Sequence, residues 1–130
     1  MGLAERREIK RLQEEVVPPK EQELQAITGS DIKYDIDWPS FSESLNAMKR
    51  FEDNAFDNIN EAFRSLCRDP MGKEAVAESI KTIRISNKAD NSSFGEVRLT
   101  NNTLDIPWDW HGWAGSFYPS SLTESLEKVL

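Results

Sequence analysis

The chain has 130 residues and a mass of 14.9 kDa, the usual size of one domain with its own hydrophobic core. Its 23 acidic residues outnumber 16 basic ones, and the net charge of −7 disfavours nucleic acid or an anionic membrane as the main partner. The single cysteine, Cys67, excludes an intramolecular disulfide and a cysteine-rich zinc site. No apolar run approaches membrane-spanning length, and the first residues are charged. We therefore expect one soluble, cytoplasmic domain over residues 1–130, without a cofactor.

The first part of the chain predicts two helices. Apolar residues recur at helical spacing over about 4–16. Pro18-Pro19 is expected to end this helix, because neither proline donates a backbone hydrogen bond and Val17 before them is disfavoured in the α conformation. A second helix is expected over about 19–28, since a proline suits the first helical turn.

Strict alternation of apolar and polar residues over 31–38 predicts a strand with one face on a core and one in water. Asp35 and Asp37 fall on the water face. Adjacent carboxylates can hold Mg²⁺ or Ca²⁺. The alternation alone explains these residues, however, and no glycine-rich phosphate loop accompanies them. No metal site is therefore predicted.

The longest helical pattern runs over about 40–67 and predicts the central element of the core. Ser40 and Glu43 form a capping box at its start. The pattern leaves open whether this segment is one helix or two joined near Asp53. Another helix is expected over about 70–80.

After residue 80 the apolar period changes from helical to two. The alternation predicts three strands that follow one another as a meander. A closing helix is expected at a second capping box, Ser121 with Glu124. Together with strand 31–38, these elements predict an α+β fold with a mainly antiparallel sheet of three to four strands, covered on one face by helices. The later strands and the closing helix lie near 81–86, 94–100, 103–109 and 121–129.

The last two strands are predicted to form a hairpin with a defined register. Asn101-Asn102 makes a two-residue loop, and asparagine tolerates the positive φ that a type I′ turn needs. This turn brings two apolar residues together on one face and two opposite charges together on the other. The paired positions are Leu99 with Leu104 and Arg98 with Asp105.

An aromatic cluster falls within eleven residues near the end of the chain. Alternation puts Trp108 and Trp110 on the core face, whereas Trp113 and Tyr118 lie in a segment punctuated by glycines. Exposed aromatic residues beside glycines can anchor a protein partner or stack on a sugar ring. The sequence leaves open a second possibility, that these residues only cover an open end of the sheet.

The sequence predicts no catalytic residue. His111 is the only histidine and stands near Asp109, but a Ser–His–Asp triad also needs a presented nucleophile, and the residues around Ser116 do not match the Gly-x-Ser-x-Gly elbow. Cys67 falls on an apolar helical stripe, where a free cysteine behaves as a small hydrophobe. We therefore expect a protein that is not an enzyme.

These patterns favour a non-enzymatic protein-binding module, possible examples being immunity or inhibitor proteins that neutralise a toxin. An acidic surface would steer a basic partner and aromatic residues would anchor it. The alternative is a small-ligand- or carbohydrate-binding domain, or an enzyme, with a pocket at the sheet end near His111. The oligomeric state stays open. The expected partner contacts are Trp113, Tyr118, Asp109, Asp35 and Asp37.

Overall fold

A computed structural model describes residues 2–41, 45–87, 97–108, 110 and 118–130. These residues form five α-helices and four strands, together with one π-helical segment and one 3₁₀ turn. In chain order the elements are α1 (Leu3–Arg11), the π segment (Leu12–Val16), α2 (Val17–Thr28), β1 (Lys33–Ile36), the 3₁₀ turn (Trp38–Phe41), α3 (Leu45–Leu66), α4 (Pro70–Ser79), β2 (Thr82–Asn87), β3 (Arg98–Thr100), β4 (Thr103–Trp108) and α5 (Pro119–Val129). Among the residues described, no helix is both long and apolar enough to cross a membrane.

The first helical region continues through Pro18-Pro19, so the predicted break at these prolines was wrong. Val17 is helical, with φ −62° and ψ −47°, and its N–H donates to the carbonyl of Leu12 five residues earlier. A bond of this length defines a π turn, which is wider than an α turn. The wider turn precedes the two proline rings, which would otherwise press on carbonyls one turn back. Gly29, with a φ of 66°, ends α2.

Helix α3 is one helix of 22 residues, which answers the question that the sequence left open. It is described from Leu45, and residue 40, the predicted start, lies in the 3₁₀ turn Trp38–Phe41. The hydroxyl of Ser40 donates to the carbonyl of Asp37 at 2.6 Å. Glu43, its predicted capping partner, lies outside the described residues.

The last two helices begin at prolines. At α4, the carboxylate of Asp69 accepts a hydrogen bond from the N–H of Gly72 at 2.6 Å. A Cβ atom at Gly72 would lie 1.9 Å from the carbonyl oxygen of Leu66, so only glycine fits there. The predicted closing helix is confirmed as α5, which begins at Pro119, two residues before the expected start near Ser121. The fixed φ of proline suits the first helical position.

The described strands form one mixed sheet in the order β1-β2-β4-β3. Strand β2 pairs in parallel with both β1 and β4, and only β3 and β4 are antiparallel. The predicted mainly antiparallel sheet was therefore wrong. The chain passes from β1 to β2 through α3 and α4, and a crossover of this kind brings the second strand back in parallel.

Strand β4, rather than β3, lies beside β2, so the predicted meander order was also wrong. Leu104, Ile106 and Trp108 of β4 are buried, which suits a strand paired on both sides. Strand β3 is shorter, and Leu99 is only half-buried. Its remaining residues are exposed, as is usual at an edge.

The predicted hairpin register is confirmed. Leu99 pairs with Leu104 and Arg98 pairs with Asp105. Asn101 and Asn102 have φ values of 50° and 64°, as the two-residue turn requires. Turn chemistry and apolar alternation are local signals, and here they agree on one register.

The hairpin turn also completes the end of α4. The side-chain amide of Asn102 donates to the carbonyls of Glu78 and Ser79, at 3.4 and 3.2 Å. The backbone carbonyl of Asn102 accepts from the N–H groups of Lys81 and Thr82. The last carbonyls of a helix lack partners within it, and this asparagine supplies donors for two of them.

The helices cover one face of the sheet, as predicted, and the core lies between them. Strand residues at alternate positions are buried in one cluster with the inner stripe of α3. Phe51, Ile59, Phe63 and Leu66 of α3 are buried there, as expected of the central element of the core. The strand side chains on the other side of the sheet, which we call the open face, are exposed or half-buried: Lys33, Asp35, Thr82, Arg84, Ser86, Arg98, Thr100, Thr103, Asp105 and Pro107.

Candidate functional site

The carboxyl ends of the parallel strands meet at one edge of the sheet, the usual place for a ligand in a parallel sheet. The polar groups described there bond to one another. The backbone N–H of Asn87 donates to Ser40 Oγ at 2.9 Å, and the backbone N–H of Trp110 donates to Asn87 Oδ1 at 3.1 Å. The indole N–H of Trp110 donates to the carbonyl of Ser86 at 3.2 Å. These bonds tie the strand ends together.

The described residues of the aromatic cluster divide into a buried and an exposed part. Trp108 and Trp110 are buried, as predicted, and the ring centroid of Trp110 lies 5.7 Å from that of Phe51. Tyr118, just before α5, is 58% exposed. Three other residues singled out from the sequence lie outside the described part of the chain: Asp109, His111 and Trp113.

Asp35 and Asp37 share an arginine that the sequence reading did not assign to them. Arg84 Nη1 lies 2.7 Å from Asp35 Oδ2, and Nη2 lies 3.6 Å from Asp37 Oδ2. The guanidinium therefore supplies a positive charge to both carboxylates. Among the described residues, no group of three or more His, Cys, Asp or Glu side chains is arranged to hold a metal.

The described charged residues on and beside the open face balance. Asp35, Arg84, Asp105 and Arg98 are aligned across the four strands by the strand register, and we call them the charged row. Lys33 in β1 and Asp37, the residue directly after β1, lie on either side of this row. Together the six side chains carry three positive and three negative charges. Among the residues described, acidity is therefore not concentrated on this face.

A concave acidic surface lies on the helical layer, between the first helical region and α3. Four carboxylates and one ammonium group line a cleft of about 350 Å³. Apolar atoms of Val16 and Pro19 form part of its wall. We call this surface the acidic cleft; its lining residues are Glu15, Val16, Pro19, Lys20, Glu52, Asp53 and Asp57.

Two carboxylates of the acidic cleft already have cationic partners. Lys20 Nζ lies 2.6 Å from Asp57 Oδ1, and this hydrogen bond raises the pKa of Lys20. Arg11 binds Glu8 and Glu52, and hydrogen bonds to these two carboxylates raise the pKa of Arg11. Both pairs hold α3 to the first helical region.

Glu15 and Asp53 differ from their neighbours in the acidic cleft. Both are exposed, and neither forms an ion pair with another described residue. They stand on opposite walls, one in the π segment and one in α3. The cleft therefore keeps two carboxylates available for a cationic group from outside.

A buried polar network lies deeper between α2, β1 and α3. The hydroxyl of Tyr34 donates to Asn60 Oδ1 at 2.6 Å, and the side-chain amide of Asn60 donates to Glu23 Oε1 at 2.7 Å. Burial, with a further contribution from Glu23, raises the pKa of Tyr34 well above its usual value. Sequence reasoning missed Asn60, although an asparagine on the apolar stripe of a helix is a recognisable sign of a buried polar contact.

A second concave surface, of about 340 Å³, lies where α3, α4 and α5 approach one another. Leu66 and Ala75 line it, and Met71 at its rim is 81% exposed. Cys67, at the end of α3 nearby, is half-buried, and burial raises the pKa of its thiol. A raised pKa keeps a thiol protonated and unreactive, in keeping with the predicted packing role.

Comparisons with protein-family models, with curated proteins and with solved structures found no match for this chain. The geometry of its surfaces is therefore the basis for a functional assignment. Of these two concave surfaces of the described residues, the acidic cleft is the one whose lining is dominated by charges of one sign.

Proposed function

We propose that this chain is a non-enzymatic protein-binding module whose partner presents a basic surface. The acidic cleft is the observation that carries the proposal. A concave surface lined by charges of one sign focuses the electrostatic potential and attracts groups of the opposite sign. An immunity or inhibitor protein that neutralises a basic toxin would need a surface of this kind.

The proposed contact is a lysine or arginine side chain inserted into the acidic cleft. Its aliphatic stem would pack on Val16 and Pro19, and its charged head would meet Glu15 and Asp53. Pro19 keeps this wall rigid, so little conformational entropy is lost on binding. The existing pairs at Glu52 and Asp57 would stay in place beside it.

Internal hydrogen bonding supports binding rather than catalysis. At the carboxyl edge of the sheet, Ser40, Asn87 and Trp110 bond to one another. Asp35 and Asp37 are held by Arg84. Groups with such partners stabilise the scaffold, whereas the carboxylates at the rim of the acidic cleft face solvent.

The aromatic segment is proposed as a second contact region. Tyr118 is exposed and can bury an aromatic ring against a partner, the contribution typical of residues that dominate binding energy. Asp109 and Trp113, which the sequence also nominates, belong to the same proposed region. Asp35 and Asp37 have a smaller proposed role, because Arg84 already balances much of their charge.

The test compares two double variants that each remove two negative charges. The probe is a fluorescently labelled lysine-rich peptide, measured by anisotropy at low salt. Glu15→Gln with Asp53→Asn should weaken binding by about tenfold, because it removes the carboxylates available for an external cation. Asp35→Asn with Asp37→Asn is the matched control and should change binding much less.

The same two variants also serve as baits in a host lysate, where they identify the natural partner. That partner should be lost from the first variant and retained by the second. Equal binding by both variants, to the peptide and to the partner, would show that the acidic cleft is not the site. Melting temperatures of the variants check that both remain folded.

A further inference from the structure

The charged row crosses the whole sheet at one level. In spatial order its signs alternate, with Asp35 on β1, Arg84 on β2, Asp105 on β4 and Arg98 on β3. The side chains reach solvent: Asp35 is 53% exposed and Arg84 is 41% exposed. Alternation across four strands lets neighbours pair within one molecule, as Asp35 and Arg84 do at 2.7 Å.

The charge order of the row, negative-positive-negative-positive, is also complementary to the same row read in the opposite direction. We propose that the open face binds a second copy of this chain, related by a two-fold axis that runs parallel to the strands between β2 and β4. This rotation reverses the order of the strands. Asp35 then faces Arg98 of the second copy, and Arg84 faces Asp105 of the second copy. Because such an interface is isologous, each of these contacts occurs twice.

A two-fold axis perpendicular to the strands is disfavoured by charge. A two-fold axis along the charged row would place each residue against its own copy, so that like charges would meet at all four positions. The proposed axis also brings the next row into register without a clash of charge, since Lys33 faces Thr100 and Thr82 faces Thr103. These threonines are small enough to let two sheets approach.

The size of the open face sets the expected affinity. Four strands at ~4.8 Å spacing give the open face a width of about 19 Å. A face this narrow buries less area than the roughly 800 Å² per partner of a standard interface. The dimer should therefore be weak, reversible and sensitive to salt. Because sheets are twisted, the outer pairs diverge, and the central contact between Arg84 and Asp105 should matter most.

Sedimentation equilibrium tests the proposal. At low salt the mass should rise with concentration from 14.9 kDa toward twice that value, and high salt should return it to 14.9 kDa. Asp105→Arg puts like charges at the centre of the interface and should weaken association by about tenfold or more. Glu124→Arg makes the same change in net charge on exposed α5 and should leave association unchanged.

Exchanging two charges tests whether the charged row pairs between two copies or only within one sheet. Arg84→Asp combined with Asp105→Arg restores opposite charges between the copies but places like charges side by side within each copy. The exchange should therefore restore the dimer while lowering the melting temperature. Failure of the exchange to restore the dimer would assign the row to sheet stability alone.

A second variant guards against loss of folding. If Asp105→Arg does not fold, Arg98→Glu makes the corresponding test at the exposed edge strand, where it places two acidic groups face to face. A monomer at every concentration up to about 1 mM in low salt overturns the proposal. A dimer that resists both variants overturns it equally.

Discussion

Asn102 connects three elements through one side chain and one carbonyl. Its positive φ shapes the hairpin turn, its amide donates to the end of α4, and its carbonyl accepts from the start of β2. Asn101 shares the positive φ, but no described hydrogen bond of its side chain reaches α4. Comparing the two residues therefore distinguishes the contribution of the turn conformation from that of the helix cap.

Glycine substitutions at these positions should have unequal costs. Both keep the positive φ, but only Asn102→Gly removes the donors to Glu78 and Ser79. We expect Asn102→Gly to lower the free energy of unfolding by about 1 kcal/mol more than Asn101→Gly. Urea denaturation measures both. Equal losses would show that the amide of Asn102 adds nothing to stability.

Tyr34 makes stability depend on pH in alkaline solution. Its raised pKa means that the folded protein holds the phenol proton more tightly than the unfolded chain does. This contribution is complete below about pH 10, the value for an unfolded tyrosine, and is lost as the pH rises from there toward the folded pKa.

Two tyrosine variants isolate this effect. The free energy of unfolding should fall above about pH 10 by up to ~1.4 kcal/mol per pH unit for one proton. Tyr34→Phe should flatten that fall, whereas Tyr118→Phe, at an exposed position, should leave it unchanged. Denaturation at several pH values decides between them, and an identical slope in Tyr34→Phe would contradict the assignment.

At the residue scale, local chemistry was predictable and distant partners were not. The turn at Asn101-Asn102 follows from two adjacent residues. The water face of β1 follows from alternation. By contrast, Arg84 reaches Asp35 only because β2 lies beside β1, and no pattern within either strand contains that information. The acidic cleft likewise depends on helices that are distant in sequence.

At the element scale, packing overrides a local rule in the first helical region. Pro18-Pro19 would end an isolated helix. Here Leu12 and Leu24, on either side of the prolines, are both fully buried in the same core. A continuous helix keeps both side chains inside, and the π turn absorbs the misfit. Tertiary contacts of this kind cannot be read from propensity.

Helix α3 provides a direct test of which stripe faces the core. Phe63 is fully buried, whereas Leu45, at the first position of the same helix, is 44% exposed. Phe63→Ala should lower the free energy of unfolding by about 3–5 kcal/mol, because it leaves a cavity in a packed core. Leu45→Ala should cost about 0.5 kcal/mol or less. Chemical denaturation gives both values. A loss below about 1 kcal/mol for Phe63→Ala would show that a different stripe of α3 faces the core.

At the scale of the whole molecule, the α+β class, the helices on one side and the hairpin were predictable from period and turn chemistry. The order of the strands was not. A meander and the observed order bury the same apolar residues on one face, so alternation cannot distinguish them. The two strand orders differ in which strand is buried most deeply. Leu104 and Ile106 suit a strand paired on both sides, and the short β3 suits an edge.

The position of β4 also governs when this chain can fold during its synthesis. Strand β2 leaves the ribosome before β3 and β4, yet the neighbour that completes it is β4, the later of these two strands. Until residues 103–108 are made, β2 keeps an unpaired edge, and α4 lacks the cap from Asn102. The hairpin of β3 and β4 forms from adjacent residues and can close quickly. Its docking onto β2 is therefore the step that commits the nascent chain to its fold, and it waits until residues 103–108 have been made.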